Sequence, residues 1–448
     1  MGIRMSPGTP RHVAEFILNL RWDTVPADVR LQTNRCLLDL LACTVAGTSS
    51  RVAGAVRRFA LRMGGVPDAL VLGTKRRLPL PSAVLVNACA TEALDADDGY
   101  RPIKGHPGAF IFPAALAAAE FAGASGRQFL EAIVVGYEIA MRAGLASHAH
   151  YPYYHGSGSW GGLGACAAAA RLLKAEPPVL LHALGIAGYH GALTPMMRGI
   201  DCPAMVKDGV GWGAMTGVAA LLMAEEGFTG TPSLLADPSA AFLVDSLGRE
   251  FLIRDLYFKR YACCRWAQPA IRGALDLSRR YQVSPSTIDR VVVRTFAEAT
   301  RLAFPRPRTS EEAQYSLPYP VAAALVLGRF GPTEVQDDNL SNPAVLDLAD
   351  RVEMVVESRF QQEFPARALA DVELVTGDGR RLRSGVVQAA GDPDDPLSAT
   401  ELEAKFCEFC TPFLSTEDLQ RLLEVARTCE HLATLEPLLE VLRRVRAR

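Results

Sequence analysis

The sequence predicts a mostly α-helical protein that carries a smaller α/β unit late in the chain. Three observations point there. Alanine-rich apolar segments at helical spacing fill residues 1–260, β-branched runs cluster within 261–397, and helical periodicity returns over 398–448. The expected architecture is one large helical domain, built from the first segment and the returning C-terminal helices, with an α/β domain between them. A chain of 448 residues exceeds one ordinary core. Aromatic residues are only 7%, which suits closely packed helices better than a β-sandwich.

In order along the chain, Ala14–Leu20 and Pro26–Ala46 read as helices; in the second, Val29, Leu37, Leu40, Leu41 and Val45 recur near helical spacing. Val52–Met63 is an amphipathic helix with arginines on its wet face. Gly64–Pro81 is a loop with a short strand at Ala69–Leu72, and Ser82–Leu94 is a buried helix. Pro113 is expected to open an alanine-rich helix, followed by helices at Gly126–Ala149, Gly161–Leu173, Val179–Gly191 and Gly213–Glu226. Strands are expected at Asp289–Thr295, Arg351–Val356, Asp371–Thr376 and Arg381–Val387, with a hairpin at Asp378-Gly379 between the last two. Helices at Pro269–Tyr281 and Pro318–Leu327 complete this unit, and Thr400–Arg448 is helical again.

Bulk properties exclude several classes. A formal charge of −2 argues against a nucleic-acid footprint, and 49% apolar with 21% charged residues argues against disorder. The ten cysteines are scattered through apolar helical contexts, which suits reduced buried thiols rather than a disulfide framework. Cys407-x-x-Cys410 has no second pair to complete a zinc site, so no metal is expected. Residues 1–13 are polar and proline-containing, unlike a signal peptide, and the apolar run Cys36–Gly47 is too short to span a membrane. A cytoplasmic protein is the expectation.

The chemistry concentrates in residues 95–120. Asp95, Asp97 and Asp98 are followed by Tyr100, Arg101 and Lys104, then His106 in a Gly-His-Pro-Gly turn. Asp95 and Asp98 are three apart and would share a helix face, where one carboxyl is pushed up by the other. Proton-transfer sites are made from such parts; the competing reading is a solvated acidic turn between core helices. His155 is flanked by glycines ahead of an alanine helix, a setting that lets backbone approach a ligand. Lys207 sits in V-K-D-G, and Lys259 and Arg265 fall at the domain boundary, where cations suit a carboxylate ligand. There is no phosphate-binding loop, nucleophile elbow or H-E-x-x-H.

Several motifs, in order, resemble one known family: L-D-A-D-D-(x7)-H-P-G-(x4)-P-A-A-L-A-A-A-E, G-Y-E, H-(x5)-G-(x2)-G-A-x-A-A-A-A-R-L-L, V-K-D-G-V-G-W-G-A-M-T-G, F-T-G, K-R-Y-A-C-C-R-W and E-E-A-Q-Y-S-L-P-Y-P. Together they span almost the whole chain and resemble the MmgE/PrpD family, which includes 2-methylcitrate dehydratase, cis-aconitate decarboxylase and iminodisuccinate epimerase. The resemblance implies a homodimer of a large helical domain and a smaller α/β lid, with the site between them and neither metal nor organic cofactor. It implies catalytic roles for Asp95, His106, His155 and Lys207, and a carboxylate-binding role for Lys259. Arg101, Lys104, Arg265 and Gln268 join Lys259 as candidate carboxylate contacts. Two residues depart from the family pattern: Gly99 stands where many members have Thr, and Gln268 where many have His. Glutamine binds a carboxylate but does not shuttle protons. The expected function is a lyase on a small di- or tricarboxylate, with dehydration leading. Decarboxylation, epimerisation, or carboxylate binding without turnover are the alternatives.

Overall fold

A computed structural model describes residues 9–446. The polar start over residues 1–8, expected not to be a signal peptide, lies outside the described residues.

The helical part begins with α1 (Thr9–Asn19), α2 (Ala27–Gly47) and α3 (Arg51–Met63). Ser50 caps α3 by accepting from the Ala53 N–H, which gives the chain a sharp turn out of α2. The short strands β1 (Ala69–Leu70) and β2 (Arg77–Leu78) pair antiparallel before α4 (Leu80–Glu92). Then come α5 (Gly108–Ala122), α6 (Gly126–His150), α7 (Gly161–Leu173) and α8 (Pro177–Tyr189). The short α9 (Met197–Asp201), α10 (Val210–Glu225) and the short α11 (Ala241–Asp245) follow. α4, α5 and α7 are almost wholly buried and α10 buries one face against them, which their alanine and glycine content permits. A β-carbon on Gly217 of α10 would lie 2.1 Å from the Gly162 carbonyl oxygen of α7, so these two backbones touch only because both residues lack side chains.

The α/β part opens with α12 (Gln268–Tyr281) and β3 (Ile288–Thr295). α13 (Ser310–Gln314), α14 (Pro318–Leu327) and α15 (Pro343–Ala349) cross over to β4 (Val352–Val356). α16 (Ser358–Glu363) leads to the hairpin of β5 (Leu369–Thr376) and β6 (Arg381–Gln388). The sheet order is β4-β3-β5-β6, with only β3 and β4 parallel. α12 covers one face of β5 and β6. Beyond it run α17 (Ala399–Cys410), α18 (Thr416–Arg427) and α19 (Glu436–Leu442).

α17 packs against α2, far away in sequence. Its Lys405 is buried, donating to Asp39 Oδ1 at 2.5 Å and to the Ala96 carbonyl at 2.6 Å. The end of the chain thus grips both the second helix and the acidic segment.

Two expectations are corrected. Pro113 lies inside α5 rather than opening it: the helix starts at Gly108, whose N–H is taken by Asp98 Oδ1 at 3.2 Å. Asp95 and Asp98 share no helix face, because α4 stops at Glu92 and Asp95 adopts a left-handed backbone with φ 49°. All ten cysteines are free thiols. Among the described residues no single helix is long and apolar enough to cross a membrane.

Replacing Lys405 with alanine would leave Asp39 buried and unpaired. We expect a loss of about 3–5 kcal/mol in urea unfolding; a midpoint unchanged from wild type would contradict this account of the buried pair.

Candidate functional site

The site grows out of a two-way backbone bridge. Gly99 N–H donates to the Tyr257 carbonyl at 3.0 Å, and Tyr257 N–H donates to the Gly99 carbonyl at 2.8 Å. This bridge fastens the acidic segment to the chain leaving the helical part. Side chains alternate along extended backbone, so Lys259, two residues on from Tyr257, reaches Asp95. Its Nζ donates to the Asp95 carboxylate and, at 3.0 Å, to the Asp95 carbonyl; both side chains are buried.

His106 completes the cluster. Its Nδ1 lies 2.8 Å from the Asp98 carbonyl, which can only accept, so Nδ1 carries the hydrogen. Nε2 is then the basic nitrogen; it lies 3.4 Å from Lys259 Nζ and 3.8 Å from Asp95 Oδ1. Burial pushes the Asp95 carboxyl up, but Lys259, Lys207 and His106 outweigh it and hold the group below the ordinary carboxylate range. Burial lowers the Lys259 ammonium's affinity for its proton, yet Asp95 and Asp97 hold its pKa well above the usual value. Asp95 and Lys259 are thus a locked ion pair. Asp98 behaves differently: burial raises it well above the carboxylate range against its hydrogen bond from Tyr137.

These groups border a cavity of about 330 Å³ between the helical and α/β parts. Asp95, Arg101, Lys104, His106, Asp208, Tyr257 and Arg265 form its polar side. Met196, Met197, Ile200, Trp266, Phe364 and Pro365 form an apolar wall. Arg101 and Arg265 both reach Asp392 Oδ1, at 2.6 and 2.8 Å, and Arg265 lies 4.6 Å over the Tyr257 ring. The Arg265 Nε is buried without a partner, a donor left over for a ligand. Lys104 makes no ion pair with any described carboxylate.

Of the sequence-predicted residues, Asp95, His106, Arg101, Lys104 and Arg265 line the cavity. Lys259 stands behind Asp95. Lys207 donates to the Glu92 carbonyl at 2.6 Å and to Gln314 Oε1 at 2.7 Å, so it braces the end of α4. His155 lies outside the cavity: its Nδ1 faces the Tyr153 carbonyl at 2.8 Å, its Nε2 accepts from Ser147 Oγ at 2.9 Å, and its ring stacks on His148. Burial lowers its pKa, and that of His148 falls to about 4 for the same reason. Its neighbour Tyr154 faces the cavity instead, as alternation along an extended segment requires. Gln268 also lies outside, accepting from the Arg260 N–H at 3.1 Å and donating to the Tyr261 and Cys263 carbonyls.

Sequence reasoning did not single out Asp208, Tyr154, Tyr315, Glu298 or Arg301, all of which line the cavity. Only Asp208 had a signal, its place beside Lys207 in V-K-D-G. Backbone strain was another signal, invisible in the sequence. Among the described residues five non-glycines have positive φ. Lys174 and Gln282 close helices in the ordinary way; Asp95, Lys104 and Lys207 surround this site.

Donor atoms of Glu92, Asp95 and His106 lie within 4.8 Å of one another, a spacing a cation tolerates. Lys259 and Lys207 already bring two ammonium charges to this cluster, so it fits a lysine-neutralised network better than a metal centre.

Gly99 has a steric reason. A β-carbon there would sit 2.3 Å from the Tyr257 hydroxyl and ring, so the phenol occupies the space of a side chain at 99. Gly99→Ala is expected to cost about 1–3 kcal/mol through overpacking. Tyr257→Ala in the same chain should recover part of that cost, and additive losses in a thermal-unfolding double-mutant cycle would refute the clash.

Comparison with known proteins gives a consistent picture. The model of the MmgE/PrpD N-terminal domain matches residues 11–251, and that of the MmgE/PrpD C-terminal domain matches residues 261–431. The chain is 25% identical to the cis-aconitate decarboxylase-like protein oryM of Aspergillus oryzae, over 96% of each chain. It is 24% identical to a cis-aconitate decarboxylase of Aspergillus terreus, over 97% of this chain and 96% of that one. It is 25% identical to a human cis-aconitate decarboxylase, over 90% of this chain and 87% of that one.

Proposed function

The chain belongs to the MmgE/PrpD family, and on that footing we propose that it is a lyase acting on a small carboxylic acid by moving a proton at the carbon beside a carboxylate. The observation that carries this reading is the His106 ring. One nitrogen is fixed on a backbone carbonyl and the other is directed at the Asp95–Lys259 pair, on the edge of a cavity with cations and an apolar wall. Arg265, through its unpartnered Nε, and Lys104 hold the substrate carboxylate; Arg101 backs them through Asp392. His106 Nε2 takes the proton, and the fixed cations stabilise the negative charge that builds on the carboxylate. Asp95 stays ionised and sets the position of Lys259 and the charge around His106. His155 and Lys207 support the walls.

Dehydration is the leading reaction: the carbanion-like intermediate expels a hydroxyl from the neighbouring carbon. Decarboxylation is the second reading, favoured by the cis-aconitate decarboxylases among its relatives and by the apolar wall beside which CO2 would leave. There the order reverses, and the carbon left behind takes the proton. The working form is read as a cytoplasmic homodimer. The outward stripe Trp212, Met215, Ala219 and Met223 of α10 supports a second copy there.

Proton NMR in D2O with citrate, 2-methylcitrate, cis-aconitate and hydroxysuccinate tests the chemistry. His106→Asn should reduce turnover about 10²–10⁴-fold with the fold intact; no deuterium uptake or turnover by wild type with any acid would refute the lyase reading. Light scattering should give twice the chain mass, and a monomer would remove the dimer.

A further inference from the structure

We propose that Asp208 is the proton donor of this site, held as a neutral carboxylic acid that delivers its hydrogen to the group leaving the substrate. The inference rests on the lyase reading above and names a role that reading leaves open.

The geometry is specific. Asp208 lines the cavity yet is itself only 5% exposed. Its Oδ2 accepts from Ser157 Oγ at 3.1 Å, and its own carbonyl accepts from the Gly158 N–H at 2.9 Å. Its Oδ1 is buried and has no hydrogen-bond partner. A buried ionised oxygen without a partner is costly, whereas a buried O–H that awaits an acceptor is what a proton donor requires. Ser157 Oγ also accepts from the His106 backbone N–H at 3.4 Å, so one hydroxyl touches both Asp208 and the turn that carries the histidine. The backbone bends twice to bring the carboxyl here, through Lys207 at φ 41° and Gly209 at φ 76°.

Charge around the group agrees. Burial raises the Asp208 carboxyl above the ordinary range; His106, Ser157 and Lys259 oppose this, and Asp95 adds to it. Glu92, Tyr154, Tyr315 and Cys264 also face it, and none brings a positive charge. Asp95 and Asp208 therefore divide the work: the lysine-paired carboxyl stays ionised, and the serine-held one keeps its proton.

The step balances. His106 Nε2 takes the hydrogen beside the carboxylate, and the C–H electrons form the new C=C bond. The C–O bond breaks, its electrons stay on oxygen, and the Asp208 proton joins that oxygen as water leaves. His106 ends protonated and Asp208 ionised; one proton returned from His106 to Asp208 through solvent restores both.

The test compares wild type, Asp208→Asn and Asp208→Glu in D2O with the same four acids. Asparagine keeps the acceptor for Ser157 but has no acidic proton. Asp208→Asn should still exchange the hydrogen beside the carboxylate at a rate near wild type while water loss falls about 10²–10⁴-fold, and Asp208→Glu should recover part of it. The high-pH limb of wild-type turnover, where Asp208 would lose its proton, should be absent in the asparagine variant. Equal loss of exchange and elimination, or full elimination by Asp208→Asn, would overturn the assignment. If wild type instead releases CO2 from cis-aconitate, the electrons of the broken C–C bond stay on the carbon and the Asp208 proton joins that carbon, so the same variant should lose product formation to the same degree, and undiminished product formation would overturn it. The infrared difference between wild type and Asp208→Asn at neutral pH needs no substrate. It should show the loss of one protonated-carboxyl C=O band, with Glu92 and Asp98 cancelling. No such band refutes the role of Asp208. The band together with an inert wild type would refute the lyase reading and leave the protonation state of Asp208 standing.

Discussion

The buried ion pair between Asp95 and Lys259 is the constraint on which the site is built. Two charges out of water are expensive, and only mutual contact with further hydrogen bonds makes them tolerable. The pair therefore dictates its surroundings. Lys259 must lie one alternation beyond the Gly99–Tyr257 bridge, and Asp95 must turn left-handed to meet it. His106 is held so that its basic nitrogen faces the ammonium instead of bulk water. The left-handed backbone of Asp95 is kept by this network, which over-determines it.

Much of this was legible in the chain because its signals are local. Helical periodicity places α6 and α17 with little help from the rest of the fold. The β-branched runs and the Gly-Asp-Gly-Arg turn do the same for β5 and β6. Pro113 misled because proline commonly opens helices, whereas here Asp98 captures an earlier N–H and the start shifts to Gly108. His155 and Gln268 carry suitable atoms, but those atoms are consumed by Ser147, Tyr153, Tyr261 and Cys263, and sequence does not reveal which polar groups are already satisfied. The apolar wall from Met196 to Pro365 is set by how two distant segments meet, which no window of sequence contains.

The cavity is chemically lopsided, and most of its ionisable groups come from the helical part. Ionisable groups come chiefly from the acidic segment and from the Lys207–Asp208 turn, all on rigid ends of buried helices. The α/β part brings Trp266, Phe364 and Pro365, together with Glu298 and Arg301. The Asp95–Lys259–His106 cluster therefore sits on the helical side, while the opposite side adds most of the aromatic surface. Family relatives with different substrates would differ first in that second set, since changing it leaves the Asp95–Lys259 pair undisturbed.

The grip of Lys405 on Asp39 and on the Ala96 carbonyl has a consequence for biosynthesis. A ribosome releases residues 95 to 106 long before residue 405 has been added. Until the last helices emerge, Asp39 has no counter-ion and the Ala96 carbonyl lacks its lysine donor. The nascent helical part thus waits, incomplete at its centre, while the whole α/β insertion is made and folded. Completion of the site is deferred to the final tenth of translation, and a chain ended early by a premature stop would lack the grip of Lys405 altogether.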